Sequence, residues 1–251
     1  MLSVVMPCHN EERYLEAAVG SVVDRLRSKG GSFEVILVEN GSSDSTLSLA
    51  EQLSDRYPEI RAESLPYPDY GAALKAGFER AQGDIVANFD VDLVDLDFLD
   101  KALAVMSDPS VAAVVGSKRA EGADDRRSSS RRLVTGVFSV TLRHGFGLSV
   151  SDTHGLKTLR RQLLAPAVAA SRFGKDIFDT ELLIRAERAG LQIAEIPVSV
   201  DEVRPARTPI ARRIPRTLAG LAALRVALWR EGLHSTSVRR RAGPERGSSH
   251  G

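Results

Sequence analysis

The chain has 251 residues, 43% hydrophobic and 27% charged, a length that supports one large α/β unit with a core of ordinary size. Its formal net charge of +1 excludes a partner chosen by overall charge alone, and at 5% aromatic it lacks the base-stacking platforms of a nucleic-acid binder. Cys8 is the single cysteine, which excludes an intrachain disulfide and a cysteine-based zinc site and fits a reducing, cytoplasmic setting.

Short β-branched runs alternate with amphipathic patterns through the first half, which predicts βαβ units and a mainly parallel central sheet flanked by helices. Strands are expected over Ser3 to Met6, Phe33 to Val38, Ile60 to Ser64, Asp84 to Asn88 and Val111 to Val115. Met1 to Pro7 carries neither the basic region nor the small-residue cleavage site of a leader, so it reads as the first strand. Tyr14, Leu15, Ala18, Val19, Val22, Val23 and Leu26 recur at helical spacing, which predicts a helix from Glu11 to about Ser28 with Asn10 as N-cap. Leu47, Ala50 and Leu53 mark a second helix behind Asp44, and Leu74, Gly77, Phe78 and Ala81 mark a third.

From Ala120 to Arg132 the chain is a Gly, Asp, Arg and Ser tract without periodicity, read as a long surface loop. Helical patterns follow at Arg132 to His144, Leu159 to Ser171 and Phe178 to Ala189, with a strand over Gln192 to Val200. At about 100° per residue, Ile214, Leu218, Leu221, Leu224, Leu228 and Trp229 share one arc, while Arg212, Arg213, Arg216 and Arg230 gather opposite and Arg225 interrupts the apolar side. Such a helix either lies on an anionic membrane surface or packs on the sheet or on a second copy of the chain. These patterns divide the chain into a catalytic unit over 1–208, an amphipathic helix over 209–233 and a polar tail over 234–251 with too little apolar content to order itself. No apolar run approaches the roughly 20 residues that span a bilayer. Acidic residues concentrate before Asp125 and arginines after it, so the later part is expected to meet phosphates or an anionic surface.

The chemistry gathers where strands end. Ile85-Val86-Ala87-Asn88-Phe89-Asp90-Val91-Asp92 is a buried run that emits two carboxylates at its C-terminal end, where open parallel sheets bind ligands. Two such carboxylates can converge on a hard divalent cation and a diphosphate; the alternative is a helix start, since Asp95 and Asp97 follow closely. Pro7-Cys8-His9-Asn10-Glu11 and Glu39-Asn40-Gly41-Ser42-Ser43-Asp44 sit at the ends of the first two strands, where Glu39 can reach a ribose hydroxyl or a base edge. No Gly-x-Gly-x-x-Gly or Walker A pattern occurs, which argues against a dinucleotide dehydrogenase or P-loop enzyme.

Those segments, together with Tyr70-Gly71-Ala72-Ala73-Leu74-Lys75-Ala76-Gly77 and Gly116-Ser117-Lys118-Arg119, stand in a familiar order. Asp152-Thr153-His154-Gly155-Leu156-Lys157, Phe178-Asp179-Thr180-Glu181-Leu182-Leu183 and Glu195-Ile196-Pro197-Val198 extend it. The set resembles the inverting family 2 glycosyltransferases of GT-A fold, and within them the polyprenyl-phosphate sugar synthase branch that makes dolichol-phosphate mannose and glucose.

The resemblance implies that Pro7, His9, Glu11 and Glu39 contact the nucleoside of a nucleotide-sugar donor. It implies that Asp90 and Asp92 meet ribose, diphosphate and a Mg2+ or Mn2+ ion. This chain departs from the pattern at four places. His9 replaces an aromatic, Glu39-Asn40 replaces a pair of Asp, Val94 stands where mannose synthases often carry a metal-binding Gln, and Lys118 replaces an Arg.

Among the later basic residues, Arg131, Arg132, Lys157, Arg160, Arg204 and Arg207 are candidates for the donor diphosphate and an acceptor phosphate, with Arg204 matching a late family arginine. Asp152, Asp179 and Glu181 are candidates for a base or for orienting the acceptor, whereas Glu187 and Glu195 read as surface positions. His144 and His154 do not form a ligand-spaced set.

The expected activity is inverting transfer of a sugar to polyprenyl phosphate or a related acceptor, on the cytoplasmic face of a membrane. A hydroxyl acceptor, a retaining reaction or a nucleotidyl transfer on the same fold are the enzymatic alternatives. A silent nucleotide-sugar or polyanion-binding module is the alternative outside catalysis.

Overall fold

The computed structural model describes residues 1–125, 129–174, 177–200 and 210–241. The chain divides into two compact units, Met1–Ala206 and Arg207–Gly251.

The first unit opens with β1 (Leu2–Cys8), α1 (Leu15–Lys29), β2 (Phe33–Asn40), α2 (Thr46–Arg56), β3 (Ile60–Leu65), α3 (Tyr70–Arg80) and β4 (Ile85–Asn88). It continues with α4 (Leu96–Val105), β5 (Val111–Ser117), β6 (Asp124–Asp125), α5 (Ser129–Phe146), β7 (Lys157–Arg160), α6 (Arg161–Ala170), α7 (Phe178–Arg188), β8 (Gln192–Pro197) and β9 (Ser199–Val200). The second unit contains α8 (Ile210–Arg241). Seven strands form one sheet in the order β3-β2-β1-β4-β7-β5-β8, in which only β7 runs antiparallel to its neighbours.

Both faces of the sheet are covered, and the side-chain alternation of the strands divides their residues between two cores. From β1, Val4 and Met6 turn to one side with Leu15, Val19, Val22 and Leu26 of α1 and Leu99 of α4. Val5 turns to the other side with Leu74 and Phe78 of α3, Leu164 of α6 and Leu182 of α7. The stripes read for α1 and α3 are the buried faces observed, except for Tyr14, which is exposed ahead of α1, and in α2 Leu47 is exposed; each buried Leu, Val or Phe contributes about 1.5–3 kcal/mol.

Four local expectations change. The helix expected from Glu11 begins at Leu15, because Asn10 adopts φ 56° and spends its side chain on the neighbouring loop instead of capping. The run expected as one helix from Leu159 starts as β7, and α6 begins at Arg161. Four strand residues are too few to show a period, and β7 forms because it fills a slot between β4 and β5. The tract expected to be loop up to Arg132 gives way to α5 at Ser129, after Asp124 pairs with Ser199 in a two-residue ladder. Finally, α8 runs to Arg241 rather than ending near 233; no Gly or Pro occurs between Leu233 and Arg241 to stop it.

Candidate functional site

The C-terminal ends of β1, β2, β4 and β5 share one edge of the sheet, and the antiparallel β7 delivers its first residue there, since Asn88 pairs with Lys157. The antiparallel strand thus brings a lysine to the edge where the parallel strands release their loops.

The loops after β1 and β2 are bonded into one rim. The Asn10 backbone N–H donates to Ser42 Oγ at 3.0 Å, and Asn10 Oδ1 accepts from the Ser43 N–H at 2.8 Å. His9 Nδ1 lies 3.0 Å from the Asn40 carbonyl, and the Glu11 N–H donates to Thr46 Oγ1 at 2.7 Å. Glu39 is buried, accepting from the Ser42 N–H at 2.5 Å and from Ser64 Oγ at 2.8 Å. Gly41 turns this loop at φ +67°, with the backbone of Tyr67 and Pro68 where a Cβ would stand, so a side chain is excluded twice over. Pro7 is buried within β1 beside Val38, so the rim reaches solvent through His9 and Asn10 rather than Pro7. Burial, then Glu39, Glu11 and Asp44, hold the Cys8 thiol far above its ordinary value, which rules it out as a nucleophile.

At the end of β4 the chain turns through Asp90, where the Leu93 N–H donates to the Asp90 carbonyl at 2.9 Å. The helix start weighed for this acidic segment exists, but later: Asp95 caps α4 by accepting from the Phe98 N–H at 2.8 Å. That leaves Asp90 and Asp92 outside any helix, Asp92 exposed and Asp90 half-buried. Tyr70, at the start of α3, donates its hydroxyl to Asp90 Oδ1 at 2.7 Å. Burial pushes the Asp90 carboxyl up to about 6; the Tyr70 hydroxyl and Lys157 oppose this, and Asp92 and Asp179 add to it. Tyr70 itself is pushed well up by burial and then by Asp90, Asp179 and Asp92, so it remains a donor. Two hard oxygen ligands suit Mg2+ or Mn2+ and leave most coordination positions to diphosphate and water. Among the described residues no cluster of three acidic, His or Cys side chains enlarges this pair.

Beside the pair lies a buried charge contact. Lys157 has no solvent exposure; its Nζ donates to the Gly155 carbonyl at 2.7 Å and sits 3.0 Å from Asp179 Oδ1. The latter contact is ionic without hydrogen-bond alignment, since Asp179 Oδ1 has no directed partner among the described residues. Glu181, the other candidate base, is fully committed to the protein. Its Oε2 accepts from the Arg172 and Phe173 N–H groups at 2.8 and 2.9 Å, and Arg185 Nε and Nη2 both reach Oε1 at 2.8 Å. Four donors fill the acceptor capacity of a carboxylate, so the structure makes Glu181 the anchor of the 172–174 segment and leaves Asp179 as the available carboxylate.

The segment 149–155 carries Asp152, which is buried and lies 3.5 Å from Lys118 Nζ. Glu187 and Glu195, read as surface positions, are the clamps of this segment. Glu187 accepts from the Ser149 N–H at 3.0 Å, and Glu195 accepts from the Ser151 and Asp152 N–H groups at 2.6 and 3.2 Å. His154 packs against Phe138 of α5 with the rings tilted at 57° and 5.5 Å apart, His144 is exposed, and neither joins a ligand set among the described residues. Of the arginine candidates, Arg160 donates to the carbonyls of Val111 and Asp108 at 2.9 and 3.0 Å and so holds backbone. Arg204 and Arg207 lie outside the described residues, as does the side chain of Arg131. The roles of Tyr70, Glu187 and Glu195 escaped the sequence reading, although Tyr70 and Glu195 both lie in segments already singled out.

Comparison with known proteins agrees with this geometry. The profile of glycosyl transferase family 2 matches residues 3–165. Glycosyltransferase AglD of Haloferax volcanii is 30% identical over 226 residues, which cover 85% of this chain and 35% of AglD. The chain therefore spans about a third of that relative's length. Dolichyl-phosphate beta-glucosyltransferase ALG5A of Trichomonas vaginalis is 27% identical, with coverage of 85% and 69%. Glucosyl-3-phosphoglycerate synthase from Mycobacterium tuberculosis, solved with Mn2+, uridine diphosphate and phosphoglyceric acid, superposes with a TM-score of 0.66 at 24% identity, covering 90% of this chain and 78% of that one. The fold is thus that of the GT-A glycosyltransferases. With both loops, the Asp90–Asp92 turn, Lys118 and Lys157 all inside the matched span, the chain belongs to glycosyl transferase family 2.

Proposed function

We propose that this chain transfers a hexose, with inversion, from a nucleoside-diphosphate sugar to a polyprenyl-phosphate acceptor. The observation that carries the reading is the Asp90–Asp92 turn at the sheet edge, flanked by the Tyr70 hydroxyl and the Lys157–Asp179 pair, within the span matched by the family. The activity named for ALG5A supports the acceptor class, and the Mn2+ and uridine diphosphate of the mycobacterial structure support the donor and cofactor classes.

In this reading Asp90 and Asp92 hold Mg2+ or Mn2+, which when bound neutralises charge on the departing diphosphate. The rim of Pro7, His9, Glu11 and Glu39 takes the nucleoside; Glu39 acts mainly by holding that rim in shape, since its oxygens already accept from Ser42 and Ser64. Lys118, Arg131, Asp152, Lys157 and Arg204 are assigned to the diphosphate and the acceptor. A phosphate acceptor is anionic at neutral pH, so its oxygen attacks the anomeric carbon without a strong base and the protein positions and neutralises. The bond from the anomeric carbon to the donor phosphate breaks as the new one forms.

A hydroxyl acceptor is the second reading. Asp179 favours it, as a buried carboxylate with an oxygen that no described group hydrogen-bonds.

A peripheral place on an anionic membrane surface, on its cytoplasmic face, fits a lipid-borne acceptor. Leu133, Val137 and Val140 of α5 are exposed at 69%, 61% and 55%, with Arg143 and His144 exposed on the same helix. On α8, Ile214, Leu218, Val226 and Trp229 are exposed, and no described helix is long and apolar enough to cross a membrane. Apolar and basic side chains on one helix suit the headgroup region. Self-association through the same faces is the competing use.

Mass spectrometry of products from GDP-mannose or UDP-glucose with polyprenyl phosphate tests the reading. A glycosyl-phosphoryl lipid is expected in the presence of Mn2+ and absent for Asp92→Asn. Full turnover in chelator, or release of pyrophosphate, would overturn it.

A further inference from the structure

Tyr70 is held in place from several sides before it reaches Asp90. It is the first residue of α3, and Asp69 caps that helix by accepting from the Ala72 N–H at 2.9 Å. Gly71 brings the first turn of α3 against α7: a Cβ there would lie 2.7 Å from Phe178 Cβ and 2.8 Å from the Gly174 carbonyl carbon. Gly174 is equally confined, because a Cβ on it would lie 2.4 Å from the Asp69 carboxylate. The segment leading to Gly174 is fixed in turn by Glu181, through the N–H groups of Arg172 and Phe173. A contiguous chain of contacts therefore runs from α7 through the 172–174 segment to the start of α3, and its last member is the hydrogen bond from Tyr70 to Asp90 Oδ1 at 2.7 Å.

We infer that Tyr70 is the positioning residue of the metal site. Its hydroxyl occupies one oxygen of Asp90 and so presents the other, in a single orientation, to the cation shared with Asp92. The inference rests on the metal reading given above and adds a group that does not itself touch the metal. The physical reason is preorganisation. Asp90 follows the last residue of β4 by two positions, in a turn closed through its backbone by the Leu93 N–H, and backbone pairing of this kind does not fix the carboxylate plane. A two-carboxylate site has few protein ligands over which to spread an error in orientation. Partners of metal-binding carboxylates typically change affinity by about 10–100-fold when removed.

The test is Tyr70→Phe in the full chain. It removes one oxygen and keeps the ring that packs at the start of α3, so the melting temperature should stay close to that of the parent. Calorimetric titration of the donor-free protein with Mn2+ should show affinity weakened by about 10-fold or more. In turnover assays the half-saturating Mn2+ concentration should rise by a similar factor, with kcat at saturating Mn2+ changed far less. Unchanged Mn2+ affinity in a folded Tyr70→Phe protein overturns the inference. Asp92→Asn, titrated in parallel, separates this failure from that of the underlying reading. If the parent protein binds Mn2+ and Asp92→Asn does not, the metal site stands whatever Tyr70 does. If the parent protein binds none and works in chelator, both fall together.

Discussion

Lys157 has no contact with solvent, so its charge depends on Asp179 at 3.0 Å. Removing one member of a buried pair strands the other, and Asp179→Asn should cost about 3–5 kcal/mol in urea unfolding even before any effect on chemistry. Replacing both, with Lys157→Met beside Asp179→Asn, should recover most of that loss, because two neutral groups require no compensation. Turnover should nevertheless remain low in the double variant, because the Lys157 ammonium assigned to substrate phosphate is lost with it. A double variant no more stable than the single one would show that the pair is not the source of the cost.

At the scale of elements, the segment 149–155 shows how a loop becomes a wall. It has no strand pairing of its own, and two carboxylates from neighbouring elements gather its N–H groups: Glu187 at the end of α7 takes Ser149, and Glu195 on β8 takes Ser151 and Asp152. Asp152 then faces Lys118, which extends from the end of β5. Glu195→Gln keeps the size of the side chain but puts an amide NH2 where N–H donors converge, which should cost about 1–3 kcal/mol. If this segment meets the acceptor, KM for the acceptor should rise well above its parent value while KM for the nucleotide sugar changes little. Equal rises in both would place the segment's role elsewhere.

At the scale of the whole molecule, one sheet edge collects the loops of β1, β2, β4 and β5 and the start of β7, while exposed apolar and basic residues lie on α5 and α8. Those helices give the membrane proposal a direct test. The full chain should float with vesicles containing anionic lipid and remain behind with zwitterionic ones, and a chain ending at Pro209 should lose most of the effect. Flotation unchanged by that truncation would move the attachment to α5. No flotation by either form, with a doubled mass in light scattering, would mean that the apolar faces serve a second copy instead.

The strands β1 to β5, the first three helices, the buried stripe of α1 and the release of Asp90 and Asp92 at a strand end were legible in the sequence, whereas α4 was weighed only as an alternative start behind Asp95. Each is written in local periodicity or in the spacing of a short motif. Asp44 was legible as a local acceptor at the start of α2, where it takes the Thr46 N–H, although Ser45 stands at the N-cap itself. The insertion of β7 was not, because four residues reveal no period and the strand exists only where β4 and β5 offer it hydrogen-bond partners. Nor was the division of labour between neighbouring carboxylates. Glu181 and Asp179 lie in one motif, yet the backbone N–H groups of residues 172 and 173 claim the first and a buried lysine from another strand faces the second. Tyr70 reaches Asp90 across 20 residues, and Glu195 reaches Ser151 across 44. Local sequence determined which residue types arrive at the sheet edge; only the packing of distant segments decided which of them hold the site and which remain available to a substrate.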